Sequence, residues 1–213
     1  MEDYLPITVA GEEFIFLAAK AILWPRRKTL LIADLHWGKA ETFQKAGVPV
    51  SSALLASDLA RLSQLVSLHA VERILVLGDL IHTRQGLTLD LQETVALWRL
   101  NLPIPILLIQ GNHDRPLPRS WQIEEVGPEW QEDLFLLSHS PVRRKGYFTW
   151  SGHLHPCVRV GSRVDRMRLP CFWLQEDGGI LPSFGSFTGG ALIQPGSRDR
   201  IIAIAEDRLI ALQ

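Results

Sequence analysis

The sequence is poor in cysteine and has no apolar run long enough to cross a membrane. Only Cys157 and Cys171 occur among 213 residues, which excludes a disulfide framework of the secreted type, so we expect reduced thiols. No hydrophobic stretch approaches the ~20 residues of a transmembrane helix. The N-terminus carries Glu2 and Asp3 where a secretory signal would carry bases. These absences predict a soluble, cytoplasmic protein without a membrane partner.

The sequence also lacks net charge, repeats and low-complexity segments. Its 22 basic and 23 acidic residues leave a net charge of −1, which argues against a surface that binds polyanions over its whole extent. The 16 glycines and 13 prolines are scattered, so no linker divides the chain. Because this length suits one sizeable core but is short for two, we predict a single domain spanning residues 1–213.

Apolar runs and helical patterns alternate in the first half of the chain. Three runs, at residues 29–33, 73–77 and 105–109, are typical of strands buried on both faces. Leucines at helical spacing follow the capping candidates Ser51 and Ser52, and a second helix is predicted over Leu89–Leu100. This order indicates strand-helix-strand units and a largely parallel sheet.

The second half has little helical periodicity and contains short strand-like runs. These lie at residues 134–138, 147–150, 157–160, 171–174 and 201–205. They indicate a second, more antiparallel sheet. We therefore predict the α/β class, as a four-layer α-β-β-α sandwich in which helices flank two mixed sheets.

Histidine stands beside aspartate, asparagine or another histidine at the ends of these apolar runs. The elements are Asp34-Leu35-His36, Gly78-Asp79, Gly111-Asn112-His113-Asp114, Ser138-His139 and Gly152-His153-Leu154-His155. One such element is weak evidence, because residues i and i+2 share a face on any strand. Five of them at the carboxyl ends of strands, where open α/β sheets place their sites, predict one convergent site.

With these elements the sequence resembles the calcineurin-like metallophosphoesterases, whose D-x-H, G-D, G-N-H-D/E, H and G-H-x-H elements all occur here in order. The resemblance implies a two-metal centre. One ion would be held by Asp34, His36, Asp79 and His155, and the other by Asp79, Asn112, His139 and His153. It also implies that Asp79 bridges the ions, that His113 is a catalytic group facing the substrate, and that Asp114 orients it.

The chemistry of such a centre is consistent with a phosphodiester substrate. Two divalent ions about 3.5–4 Å apart need a shared anionic ligand, and Asp79 is the acid in the middle of the pattern. Two ions, two carboxylates and a bridging hydroxide leave a charge of about +1, which suits a phosphodiester anion. Imidazole and oxygen ligands accept manganese, iron, zinc, cobalt or nickel, of which we expect manganese.

A narrower resemblance comes from the residues around these elements. Four segments are similar to the bacterial ligase-associated metallophosphoesterases: Ala33–Lys39, Gly78–His82, Gly152–Pro156 and Leu181–Gly190. That group implies a DNA endonuclease or phosphodiesterase in DNA repair, with a DNA ligase and a DEXH-box helicase as partners. Two other functions stay open: a phosphomonoesterase acting on a small phosphoester, and a non-catalytic scaffold on the same fold.

Three residues next to the metal-binding elements are candidates for substrate contacts. They are Lys39, His82 and Arg115, and each has the alternative of being an ordinary surface residue. Residues 142–168 hold seven bases and one acid, a net charge of +6, whereas residues 120–137 hold five acids and no base. The basic segment is a candidate polyanion-binding rim or else a solvated face, and Cys157 has no assigned role.

Overall fold

The computed structural model describes residues 3–161 and 166–212. Arg163 and Asp165 of the basic segment lie outside these residues. Within the described ranges, no helix is long and apolar enough to span a membrane.

The first sheet has seven strands in the order β1 to β7. The first four pair antiparallel and the last four pair parallel. Their bounds are β1 Tyr4–Val9, β2 Glu12–Leu17, β3 Ala21–Trp24, β4 Thr29–Ile32, β5 Arg73–Leu77, β6 Ile106–Ile109 and β7 Glu124–Glu125. The sequence predicted the three central parallel strands, β4 to β6, and these are confirmed.

Three α-helices lie between strands of this sheet: α1 Lys39–Lys45, α2 Ala53–Leu68 and α3 Leu89–Leu100. The two predicted helices are α2 and α3. The side chain of Ser52 makes no capping bond; instead the Ser51 hydroxyl accepts a hydrogen bond from the Ala53 amide at 3.2 Å. At α3, Thr88 caps the helix by accepting from the Leu91 amide, as hydroxyl side chains commonly do at this position.

The second sheet is mixed and is built from the second half of the chain. Its strands are β8 Glu129–Glu132, β9 Phe135–Ser138, β10 Phe148–Ser151, β11 Pro156–Gly161, β12 Arg166–Leu174, β13 Gly178–Ile180, β14 Ala191–Leu192, β15 Arg200–Ala205 and β16 Arg208–Ala211. Strand β10 pairs parallel with both β9 and β13, whereas β12 pairs antiparallel with β11, β13 and β15.

An aromatic core fills the space between the two sheets. Phe14 lies 5.0–5.2 Å from the rings of Trp24, Phe135 and Trp150. The opposite face of the first sheet packs on α2 and α3. The outer face of the second sheet carries a smaller cluster around Cys171, formed without helical residues in the described ranges. The α/β class with two mixed sheets is confirmed, and both long helices lie on the first sheet.

Candidate metal centre

The two sheets bring the polar strand ends to one place. Strands β4, β5 and β6 are parallel and in register, with Ile32 opposite Val76 and Leu77 opposite Ile109. Asp34, Asp79 and Asn112 follow these strands and therefore meet at the same sheet edge. His139 and His153 follow the parallel pair β9 and β10 in the second sheet. Hydrogen bonds and close contacts join these two edges, as between His139 and Asn112.

Five of the seven predicted metal ligands have a left-handed backbone. The φ angles are 55° at Asp34, 50° at His36, 51° at Asp79, 68° at His153 and 45° at His155. This region is uncommon for residues other than glycine, although aspartate and histidine tolerate it better than most. Such conformations cluster where the surrounding structure holds a functional geometry. Here these residues lie in the connections that follow β4, β5 and β10.

One group of donor atoms joins Asp34, His36 and His155. The Nε2 atom of His155 lies 3.1 Å from Oδ1 of Asp34 and 3.4 Å from Nε2 of His36. The Nε2 atom of His36 lies 3.8 Å from Oδ2 of Asp79. Asp34 is fully buried, so its carboxylate faces these imidazoles without competition from bulk water.

A second group joins Asp79, His139 and His153. The Nε2 atom of His139 lies 2.8 Å from Oδ1 of Asn112, 3.0 Å from Nδ1 of His153 and 3.4 Å from Oδ2 of Asp79. Oδ2 of Asp79 is therefore near ring nitrogens of both groups. Its position between them is the one that a bridging ligand requires.

The protonation of these rings shows that the site fits cations. Nδ1 of His139 is 3.0 Å from the Leu77 carbonyl, and Nδ1 of His155 is 3.0 Å from the Gly189 carbonyl. A carbonyl only accepts, so each Nδ1 carries the hydrogen and Nε2 of the neutral ring presents a lone pair. When the rings are neutral, lone pairs of nitrogen and oxygen face one another, and a cation relieves their repulsion.

The pKa values of His36 and His155 shift in opposite directions. Burial, together with the neighbouring imidazoles, lowers the pKa of His36 to about 2. Burial acts in the same direction at His155, but the Asp34 carboxylate outweighs it and raises the pKa of that ring. His36 is thus a neutral ring ready to ligate, whereas a metal at His155 must displace a proton that Asp34 stabilises.

The carboxylate of Asp114 holds the loops of the site. It accepts hydrogen bonds from the amides of Asp79 and Gly111, both at 2.8 Å, and from that of Ile81 at 3.2 Å. All three of these donors are backbone amides, whereas the sequence led us to expect that Asp114 orients the His113 ring. The chain folds back after His113, which directs the Asp114 side chain toward the amides at the end of β5. Burial raises the pKa of Asp114, and the amide donors partly oppose the rise.

His113 is held by a different residue. Its Nδ1 lies 2.9 Å from the His82 carbonyl, so Nε2 is left facing the site, 4.0 Å from Oδ2 of Asp79. The His82 ring stacks on the His113 ring at 5.4 Å, and both join His36 in a third group of candidate ligand atoms. Nδ1 of His82 is buried and has no hydrogen-bond partner in the described ranges. The structure thus brings His82 to the site.

The other two candidates for substrate contacts have different surroundings. Burial lowers the pKa of Lys39, whose charge is close enough to lower the pKa of His36 and His82. Arg115 is exposed and its guanidinium donates to the carbonyls of Asn112 and Asp114 at 3.2 and 2.7 Å. Lys39 is therefore beside the site, whereas Arg115 braces the loop that carries Asn112.

The segment 181–190 supports the Asp34 turn from the second sheet. The Ser183 hydroxyl donates to the Asp34 carbonyl at 2.6 Å, and a Cβ at Gly185 would lie 2.2 Å from the Leu35 carbonyl oxygen. On α2, the buried Asp58 accepts from the Ser186 hydroxyl at 2.6 Å. The sequence had singled out this segment only as a motif, and it carried no signal for Asp58.

Trp37 and Cys157 lie outside the ligand groups found in the described ranges. Trp37 is buried between Trp98 and Trp121, with ring centroids 5.9 and 5.8 Å away, so it packs in the core and does not present a face for a base. Cys157 is a buried free thiol and belongs to none of the three groups found in the described ranges.

Comparisons with known proteins agree with this geometry. The sequence profile of the calcineurin-like phosphoesterases matches residues 27–177. The crystal structure of Pseudomonas putida nuclease MPE is 36% identical over 98% of this chain and 100% of that one, with a TM-score of 0.87. Yfce, a phosphoesterase from E. coli, is 15% identical over 86% of this chain and 96% of its own, with a TM-score of 0.45, too distant to support a conclusion. No curated protein sequence matches the chain.

Proposed function

This chain belongs to the calcineurin-like phosphoesterases, and on that premise we propose that it is a two-metal phosphodiesterase that cuts DNA internally. The observation that carries the proposal is the convergence of carboxylate, amide and imidazole donors around Oδ2 of Asp79. The family of the chain is that of the metallophosphoesterases. Its nuclease activity, its dependence on manganese and its role in DNA repair are what we propose.

Seven side chains would hold the two ions in this proposal. They are Asp34, His36, Asp79 and His155 for one ion, and Asp79, Asn112, His139 and His153 for the other. When bound, divalent ions polarise a phosphoryl oxygen and lower the pKa of coordinated water. The protein contributes fixed donors, since the carbonyls of Leu77 and Gly189 hold the rings of His139 and His155 in one tautomer.

His113 is placed to act on the leaving group. Its side chain is 38% exposed, so it is accessible to a substrate that enters from the solvent. The His82 carbonyl fixes the hydrogen on Nδ1, which leaves Nε2 as the atom that gains and delivers a proton. A proton delivered from Nε2 can go to the departing alkoxide oxygen.

The similarity to nuclease MPE over nearly the whole of both chains supports a nucleic-acid substrate over a small ester. The resemblance of the same motifs to ligase-associated metallophosphoesterases supports a DNA ligase and a DEXH-box helicase as partners and a role in DNA repair. The proposal treats residues 1–213 as one catalytic domain.

A comparison of substrates tests this function. We expect the manganese-loaded protein to linearise circular single-stranded DNA, which has no ends for an exonuclease, and to hydrolyse bis-p-nitrophenyl phosphate much faster than p-nitrophenyl phosphate. The Asp79→Asn variant, purified in the same way, controls for contaminating nucleases. A preference for the monoester would overturn the proposal in favour of a phosphomonoesterase, and inertness toward every phosphoester would favour a scaffold.

A further inference from the structure

A groove of about 270 Å³ lies directly beside the candidate metal centre. His155 belongs to both, because its Nε2 faces Asp34 while the residue also lines the groove. The other walls come from the β2–β3 turn at Lys20, from Arg168 on β12 and from the segment Thr188–Gly190. We call this space the His155 groove.

The charge of the His155 groove is positive and locally unbalanced. Lys20 and Arg168 line it, and no aspartate or glutamate does. Neither Lys20 nor Arg168 forms a side-chain ion pair within residues 3–161 and 166–212, whereas Arg143 and Arg144 of the same basic segment pair with Asp177 and Glu129. The bases of the 142–168 segment therefore differ in role, and Arg168 is one whose charge stays available beside the site.

The segment Thr188–Gly190 forms a further wall of the groove. In the described part of the chain, the amides of Thr188, Gly189 and Gly190 donate to no protein acceptor, although the Gly189 carbonyl accepts from His155. A Cβ at Gly190 would lie 2.3 Å from the His155 carbonyl oxygen and 2.4 Å from Sγ of Cys157. Only glycine lets the backbone run this close, and successive free amides next to cations are typical of anion-binding sites.

We propose that the His155 groove binds a phosphate of a single nucleic-acid strand adjacent to the phosphate that is cleaved. The inference rests on the proposed function, because it takes the scissile phosphate to lie at the metal centre. A strand repeats its negative charge at every nucleotide, so a phosphate neighbouring the scissile one reaches Lys20 and Arg168, whereas a small diester has no second phosphate. Lys20 and Arg168 would thus determine specificity for a polymer.

The double variant Lys20→Gln/Arg168→Gln tests this subsite. In this variant we expect the kcat/KM on single-stranded DNA, divided by the kcat/KM on bis-p-nitrophenyl phosphate, to fall by at least tenfold. The matched control is Arg143→Gln/Arg198→Gln, which removes the same charge from the rim of a separate groove. We expect the control to leave the ratio unchanged. A ratio unchanged in the Lys20/Arg168 variant would overturn the inference, and a ratio lowered only in the control would place the strand in the other groove.

A binding measurement keeps the inference independent of turnover. Fluorescence anisotropy of fluorescein-labelled dT12 in EDTA gives the Kd of the full-length protein across a series of salt concentrations. Loss of the contacts to this one phosphate should weaken binding at least tenfold and reduce the slope of log K against log salt by about 0.7. An unchanged slope contradicts the subsite even if the protein cuts DNA. Absence of DNA cleavage together with the expected binding loss would refute the proposed nuclease activity but retain the subsite.

Discussion

The Asp114 carboxylate accepts a hydrogen bond from the backbone amide of Asp79 at 2.8 Å. The same oxygen accepts from the Gly111 amide, also at 2.8 Å, so one buried carboxylate ties the end of β5 to the loop that follows β6. This bond holds the backbone of the residue whose side chain lies between the two groups of ligand atoms. A residue expected to serve His113 thereby serves Asp79.

Replacing Asp114 by asparagine tests this anchoring role. The amide group retains one acceptor oxygen, so at least one backbone N–H loses its partner and faces an NH2 group. We expect the free energy of unfolding to fall by about 1–3 kcal/mol, together with weaker metal retention. Urea denaturation and elemental analysis measure the two effects. If the pH profile of kcat shifted while stability and metal content stayed at wild-type values, Asp114 would instead act on the His113 ring.

Asp79→Asn should remove at least one metal ion per chain. Oδ2 of Asp79 lies 3.8 Å from Nε2 of His36 and 3.4 Å from Nε2 of His139, and a neutral amide cannot supply the negative charge shared by two cations. Inductively coupled plasma mass spectrometry after dialysis counts the ions. Retention of two ions would count against the bridging role. Asp133→Asn, an acid paired with Arg27 away from the site, is the control.

His113→Ala should preserve metal content and reduce kcat. We expect a loss of 10²–10⁴-fold on DNA, whose leaving alkoxide needs a proton, the range for losing a general acid. The loss on bis-p-nitrophenyl phosphate should be smaller because p-nitrophenolate leaves without protonation. Equal losses on both substrates would argue against proton donation and for phosphate binding by this ring.

Gly152→Ala should disrupt the Asp34 end of the site. A Cβ at Gly152 would lie 2.4 Å from Oδ2 of Asp34 and 2.6 Å from Cβ of Ala33, so the carboxylate that accepts from the His153 amide must move. We expect lower metal occupancy and a melting temperature several degrees below wild type. In Gly196→Ala the added carbon meets no atom closer than 3.6 Å, and both quantities should stay unchanged. Full metal occupancy in Gly152→Ala would show that the Asp34 turn is more adaptable than the structure indicates.

The metal-free protein should lose stability on acidification below about pH 6.5. The folded pKa of His36 is about 2, below that of an unfolded histidine, so the unfolded state binds more protons and stability falls with decreasing pH. One such group contributes a slope of up to about 1.4 kcal/mol per pH unit. Urea denaturation of the EDTA-treated protein between pH 7.5 and 5 measures it. His36→Gln, which does not titrate, should have a shallower slope, and an unchanged slope would contradict the assignment to His36.

Local sequence patterns predicted the three parallel strands β4 to β6 of the first sheet. Strands β4, β5 and β6 are buried at every position or nearly so, and such strands read as continuous apolar runs. Helix α3 was predicted with its observed bounds. Strands β1 to β3 went unpredicted. The edge strand β1 mixes exposed and buried positions and contains Pro6, which weakens a strand pattern, whereas β3 is buried at all four positions and was missed all the same.

The sequence by itself determined which side chains converge. Parallel strands end at a common edge, and the residues that follow these strands are of types that can bind metal ions. Only the tertiary structure decided what each polar neighbour does. Asp114 faces backbone amides, the His82 carbonyl holds His113, and Lys20, 135 positions before His155 in the chain, lines the same groove. Such contacts depend on how loops from two sheets pack against each other, and no local periodicity encodes the distance between residues so far apart in sequence.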